Sequence, residues 1–333
     1  TLSVMIHLND KKEFVIFQKP HSNISYIGIG EWKKRNSINA ISSAFVLSTF
    51  KGEIFHLITS FNPLKENIYI ETSHINTEIP DKKNTYIQHA ADIIKKCKNG
   101  YFKKCILSRI KQETYNVKNA FDIFKQLCDS YSHGFKYILN HAEFGLWIGV
   151  TPEILISGNS TSYQTQALAG SKEKNDYKKW GNKEINEHQY VTDYIREIIE
   201  SQGKLEYESS SEEFVAGNIK HLNQKFKFKL DSDLNEFLNQ LHPTPAVAGL
   251  PPQKAINWIH ENESHDRELY CGYLGFMDND FTEIFVNLRC AKIFQNKLSL
   301  YVGGGITAES KPEDEFHETE IKAETLLSVI KKI

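Results

Sequence analysis

The stretch that decides the fold runs from Leu298 to Ile330 and reads LSLYVGGGITAESKPEDEFHETEIKAETLLSVI. Leu298 to Val302 alternates as a strand, Gly303, Gly304 and Gly305 read as a turn, and the spacing predicts a helix from Glu313. Ser310 stands where it can cap that helix, Glu313 three residues on completes a capping box, and Pro312 sits where a missing N–H costs nothing. At the helical period Phe316, Thr319, Ala323, Leu326 and Ile330 form one buried stripe, with Glu315, Glu318 and Lys322 along its flank. Two carboxylates and an ammonium then point the same way, beside glycines whose backbone can approach a ligand closely. The same three residues also fit an ordinary solvated face with an i,i+4 pair worth about 0.2–0.5 kcal/mol. A dinucleotide loop fits Gly303, Gly305 and Ala308, but it needs a following strand and an acid about 20 residues on; with Ile333 the last residue, that reading is set aside.

A second E-x-x-E pair, Glu184 with Glu187, lies on the helix expected over Asn182 to Ser201, beside Ile185, Val191, Ile195 and Ile198. Four carboxylates gather near a core only if a cation neutralises them; otherwise the two pairs are surface charge. With oxygen ligands and no Cys or E-x-x-H partner, the natural cation is hard, Mg²⁺ rather than a di-iron pair.

Further out, Phe102 to Arg109 reads as a strand that places Lys104 on one face with Ile106 and Ser108. Thr151 and Pro152 interrupt a sheet, and Glu153 opens the apolar strand Ile154 to Ile156. Held among such neighbours the Glu153 carboxyl should have a raised pKa, unless it reaches water at the strand edge. The strand Ser162 to Leu168 runs into Ala169, Gly170, Ser171 and Lys172, a loop of the kind that offers N–H groups to an anion. In the strand expected over Thr282 to Phe294, Arg289 shares a face with Asn287 and Phe285, where a guanidinium calls for a carboxylate from protein or ligand. Residues 1 to about 80 read as short strands such as Glu13 to Phe17, Ala44 to Thr49 and Glu53 to Ile58, with no evident chemistry.

Composition narrows the class. The chain has 333 residues, 40% apolar and 25% charged, enough for one large core or two intimate halves. A net charge of −2 argues against nucleic acid or an acidic membrane as the main partner. Cys97, Cys105, Cys128, Cys271 and Cys290 are odd in number and scattered, which speaks for a reducing compartment and against a disulfide frame or zinc site. No apolar run reaches the roughly 18 residues of a membrane span, and Asp10, Lys11 and Lys12 spoil a signal peptide, so a cytoplasmic protein is expected.

Taken together the segments resemble the chorismate-utilising enzymes, the isochorismate, salicylate, anthranilate and aminodeoxychorismate synthases. The matching blocks are KCILSR from Lys104, TPEIL from Thr151, LAGSK from Leu168, EINEH from Glu184, HPTPAVAG from His242, RELYCGYLG from Arg267, NLRCA from Asn287 and GGGITAESKPEDEFHETEIK from Gly303. They fall in the family's order. The resemblance implies an α+β fold like anthranilate synthase component I, with two large antiparallel sheets packed face to face and helices outside. It also implies one chorismate-binding domain over 1–333, with a catalytic core at 86–327 and a divergent β-rich part over 1–80.

By the same resemblance Glu187 and Glu318 fall on magnesium ligands, and Glu184 and Glu315 on outer carboxylates that support the ion. Lys322, Arg289, Tyr270 and the backbone at Gly305 fall where the family holds the substrate carboxylates, Gly170 and Ser171 lie beside the reacting ring, and His242 and Ala246 lie in a loop resembling that of isochorismate synthases. Lys104 aligns with the base that activates water, its pKa expected to be lowered by burial and cationic neighbours, and Glu153 with the acid that protonates the departing hydroxyl. A lysine at 104 favours water over ammonia as nucleophile, and Ala169 stands where aminodeoxychorismate synthases carry a nucleophilic lysine. The expectation is a monomeric, Mg²⁺-dependent isochorismate synthase serving menaquinone or siderophore synthesis. The alternatives are a salicylate synthase and a non-catalytic chorismate binder.

Overall fold

The computed structural model describes residues 5–9, 11–39, 43–72, 80 and 82–333. Parts of the expected N-terminal segment, residues 1–4, 10, 40–42 and 73–79, lie outside the described residues, as does Asp81. The helices are α1 (Lys83–Lys98), α2 (Ala120–Ser130), α3 (Asn182–Gln202), α4 (Leu234–Leu241), α5 (Pro252–Asn262) and α6 (Pro312–Ile330).

Two large sheets dominate. The first, of nine described strands, runs in the order Gly249–Leu250, Lys104–Thr114, Lys297–Ile306, Cys290–Ile293, Gly145–Thr151, Phe135–His141, Phe14–Gln18, Ser25–Ile29 and Asn62–Pro63. The second, of ten, runs Gly203–Glu208, Ile219–Leu230, Ser162–Glu173, Ile154–Asn159, Thr282–Val286, Tyr273–Met277, Ala44–Ser48, Ile54–Ile58 and Trp32–Arg35, with Glu212–Ala216 also on Ile219–Leu230. Pairing in both is antiparallel. A separate parallel pair joins Met5–Leu8 to Asn67–Ile70. The N-terminal strands are thus woven into both sheets.

Strands buried on both faces feed two cores at once, because successive side chains point opposite ways. Phe135, Tyr137 and Leu139 enter the core between the sheets, whereas Ile138 enters a second core beneath α2 and α6. The face-to-face packing is visible in rings: Phe135 stacks on Phe17 at 5.7 Å within its own sheet and on Phe285 of the other sheet at 4.6 Å. The second core receives Phe121, Phe124 and Leu127 from α2 and Ala323, Leu326 and Val329 from α6.

Two of the places where the chain crosses between the sheets, Thr151 to Glu153 and Asn287 to Arg289, are adjacent. The crossings are tied together, since Val286 N donates to Glu153 O at 3.0 Å and Val150 N donates to Arg289 O at 3.1 Å.

Several local expectations are corrected. The strand expected over Thr282 to Phe294 is two strands in different sheets, and Arg289 takes a left-handed φ of 47° at the crossing instead of sharing a face with Asn287 and Phe285. Gly303 to Gly305 are not a turn: they are strand, paired with Ser108, Leu107 and Ile106. Ala169 to Lys172 are strand too, with a bulge at Gly170, whose φ is 70°. Ser310 does not cap α6; its hydroxyl accepts from Thr307 N at 3.0 Å, and Lys311 is the N-cap. Ile185 is exposed, because the inward stripe of α3 is Val191, Ile195 and Ile199.

Candidate active site

The two crossings open onto a cavity of about 680 Å³, counting its mouth. Lys104, Glu153, Gly170, Ser171, Glu187, Ala246, Tyr270, Arg289, Gly305 and Lys322 all line it, so the structure gathers residues from eight separate stretches of chain. His242 is not among them. It caps α4 and packs edge-on against Tyr273 at 5.2 Å, outside the cavity lining.

Glu153 is 3% exposed, and burial pushes its carboxyl up to about 8 against the opposing pull of Lys104, Arg289 and Lys322. A protonated carboxylic acid therefore faces the cavity at neutral pH. Lys104, 1% exposed, meets Glu187 at 2.9 Å. Its neighbour is thus a carboxylate, where the sequence suggested cations.

Gly305 explains the glycine run. A Cβ at this position would lie 2.2 Å from Glu187 Oε1 and 2.6 Å from Lys104 Cε, so the carboxylate and the lysine pass directly over a bare backbone. At Gly303 the equivalent atom would meet Tyr270 Oη at 2.9 Å.

Arg289 Nη2 donates to His221 Nε2 at 3.1 Å, while His221 Nδ1 lies 3.1 Å from Gly170 O and 3.2 Å from Ser171 Oγ. Burial first, then Arg289, hold the imidazole down to about 3, so it is neutral. Accepting from Arg289 at Nε2 leaves the proton on Nδ1, donated to Gly170 O. His221 thereby couples the Gly170 bulge to Arg289. Sequence reading passed it over, although KFKFKL at the end of its strand carries the period-two alternation that marks one.

The carboxylates expected at a metal are each engaged. Glu315 pairs with Lys183, Glu318 with Lys322 at 2.6 Å, and Glu187 with Lys104. Burial and the Glu318 charge raise Glu315 to about 7, and its Oε2 is buried without a hydrogen bond among the described residues. Burial also works on Glu318, but Lys322 and Lys183 outweigh it and hold that carboxyl down to about 2. Glu184 accepts from Gly181 N at 3.0 Å in the first turn of α3, beside the Gly170 bulge, and like Glu315 and Glu318 it stands outside the cavity lining. Among the described residues no three ligating groups form a ready-made metal cluster. The donor set is nonetheless all oxygen, which suits a hard cation, once Glu187, Glu315 and Glu318 turn from their lysines.

Behind the cavity lies a buried pair that sequence reading did not single out. Arg267 binds Glu263 through two contacts of 2.7 and 2.8 Å, both side chains 1% exposed, and donates to Val247 O at 2.8 Å and Ile106 O at 3.0 Å. Glu263 Oε1 also accepts from Ser108 N at 2.7 Å. One ion pair thus fastens two cavity walls. The E-x-x-x-R spacing was its only signal in the sequence.

Comparison with known proteins meets this geometry. The family described as chorismate binding enzyme matches residues 36–331. The chain belongs to the chorismate-binding enzymes. Isochorismate synthase EntC of Escherichia coli is 34% identical over 202 residues, which cover 56% of this chain and 52% of EntC, so the match spans about half of that relative. Isochorismate synthase DhbC of Bacillus subtilis is 30% identical over 287 residues, 79% of this chain and 71% of the relative. The crystal structure of DhbC from Bacillus anthracis has a TM-score of 0.82 at 25% identity and covers 97% of both chains. The α+β chorismate-binding fold is therefore the fold of this chain.

Proposed function

We propose that this chorismate-binding enzyme is an isochorismate synthase, exchanging the C4 hydroxyl of chorismate for a hydroxyl at C2. The observation that carries the reading is one cavity lined by both Lys104 and the raised carboxyl of Glu153. Lys104 takes a proton from water as its oxygen bonds to C2. Glu153 gives its proton to the hydroxyl that leaves C4 as water, and the ring double bonds shift between the two carbons. Chorismate and isochorismate are isomers, and the proton gained by Lys104 balances the one lost by Glu153, so proton exchange with water resets both groups for the next turnover. Arg289, Lys322 and Tyr270 hold the substrate carboxylates, and the backbone at Gly305 lets the ring approach. Ala169 in the wall puts no lysine at that position to attack the ring, which supports water as the attacking group.

Glu187 and Glu318 are the residues we assign to a Mg²⁺ ion, with Glu315 and Glu184 in support. The ion would neutralise substrate carboxylate charge and fix its position. The relatives named isochorismate synthase include EntC, DhbC and the MenF of Haemophilus influenzae, which supports a product that serves menaquinone or siderophore synthesis.

The test is to incubate the purified protein with chorismate, with and without Mg²⁺, and separate the products. Isochorismate formed only with the metal, in equilibrium with chorismate, is expected. Salicylate plus pyruvate would move the assignment to a salicylate synthase. Unchanged chorismate would reduce the protein to a binder.

A further inference from the structure

A second cavity adjoins the first, and at about 1310 Å³ counted the same way it is the roomier of the two. Pro152 and Arg289 line both. The other walls are continuations of those that form the reacting cavity. On α6, Lys322 lines the first cavity and Thr325 and Ser328 line the second, each three residues further along the same face, and Lys332 joins them just past the end of the helix. The strand bearing Gly170 and Ser171 continues to Lys174, and the strand of His221 leads back to Asn218, whose carbonyl accepts from Lys174 N at 2.9 Å. Tyr131 closes the far side, its hydroxyl donating to Thr325 O at 2.8 Å. The two cavities meet at Pro152 and Arg289 as an inner and an outer compartment.

Charge separates them. Among its described lining residues the outer compartment has Lys174, Arg289 and Lys332 and no carboxylate. Of the acids adjacent in the chain, Glu173 pairs with His317 at 3.6 Å, Glu213 with Lys220 at 3.0 Å and Glu324 with Lys331 at 3.3 Å. Lys174 and Lys332 are exposed. The carboxylates lining the inner compartment are Glu153, next to Pro152, and Glu187, which meets Lys104 at 2.9 Å. An anion arriving from water therefore meets Lys174 and Lys332 first, then Arg289.

We propose that the outer compartment is an anion-capturing vestibule, in which the dicarboxylate substrate is first held by Lys174 and Lys332 before Arg289 receives it into the reacting cavity. The proposal rests on the functional reading above, which makes the ligand a dianion. Charges at such an entrance raise association rates by about 10-fold or more, and screening removes the effect over a Debye length of about 10 Å at 0.1 M salt.

The test uses Lys104→Ala as a parent that binds chorismate without converting it. Association is followed by stopped-flow protein fluorescence, with Trp147 as reporter 4.9 Å from the cavity residue Tyr301. Adding Lys174→Glu and Lys332→Glu is expected to slow association about 10-fold at low salt and to leave it equal to the parent above roughly 0.5 M. A plug, Val215→Trp, placed on an exposed residue of the vestibule wall, is expected to slow association and dissociation alike with Kd unchanged. Equal rates and equal salt slopes in parent and charge-reversed protein, or a plug that changes only dissociation, would overturn the vestibule while leaving the functional reading intact. A parent that binds no chorismate, together with an unsubstituted enzyme that makes no isochorismate, would overturn both.

Discussion

Replacing Gly305 by alanine adds one carbon to the floor of the cavity, and the structure says where it goes. The new Cβ would stand 2.2 Å from Glu187 Oε1 and 2.6 Å from Lys104 Cε. Non-bonded heavy atoms rest at about 3.5 Å, so both side chains have to retreat by roughly 1 Å. Their 2.9 Å contact and the aim of the lysine change together. A displacement of about 1 Å is worth around 10²-fold in rate, or about 2.7 kcal/mol of barrier. The atoms that move are the free ends of side chains, so the melting temperature is expected to hold within a few degrees. Gly304→Ala is the contrast: its Cβ would be 3.5 Å from Glu315 Oε2 and 3.7 Å from Glu318 Oε1, ordinary contacts, and its rate should stay within a few-fold of the parent. Initial rates of isochorismate formation, measured chromatographically beside thermal melts, decide it. Equal rates for the two alanine variants would refute the reasoning.

Three further outcomes are expected. Glu153→Gln should lose about 10²–10⁴-fold in turnover, and the parent should lose activity above about pH 8, where Glu153 ionises. Because the folded protein keeps this proton between the ordinary value of 4.5 and about 8, stability should fall as pH rises through that window, and urea unfolding of Glu153→Gln should show a shallower slope; an identical slope would contradict the burial argument. Lys104→Ala should retain chorismate binding by calorimetry yet form no isochorismate, and measurable turnover would remove Lys104 from its assigned role. Arg267→Met strands the Glu263 carboxylate in a site 1% exposed, for an expected loss of about 3–5 kcal/mol in urea unfolding, and adding Glu263→Gln should recover much of it.

The legible parts of the sequence were those where a local rule coincides with a tertiary demand. The helix read over Asn182 to Ser201 is α3, Asn182–Gln202, because its apolar spacing coincides with the core it packs against. The carboxylate pairs were read from helical spacing, and Glu153 from the apolar strand that buries it. Failures came where tertiary pairing overrode a local signal. Three consecutive glycines suggest a turn, yet ladder bonds to Ser108, Leu107 and Ile106 hold them extended. The run from Thr282 to Phe294 alternates like one strand, and only the second sheet explains why it breaks at Arg289. His221 and Glu263 gave no motif, since their roles are contacts with Arg289 and Arg267 from distant parts of the chain.

The paired crossings also set when the enzyme becomes competent during folding. Thr151 Oγ1 donates to Val286 O across 135 positions of sequence, so the groups at the seam meet only after strands from distant parts of the chain have found each other. Contacts this remote form slowly, whereas helices such as α3 and α6 form locally. In a refolding experiment the helical circular dichroism should return first and catalysis last, so that regained turnover reports docking of the sheets and nothing earlier.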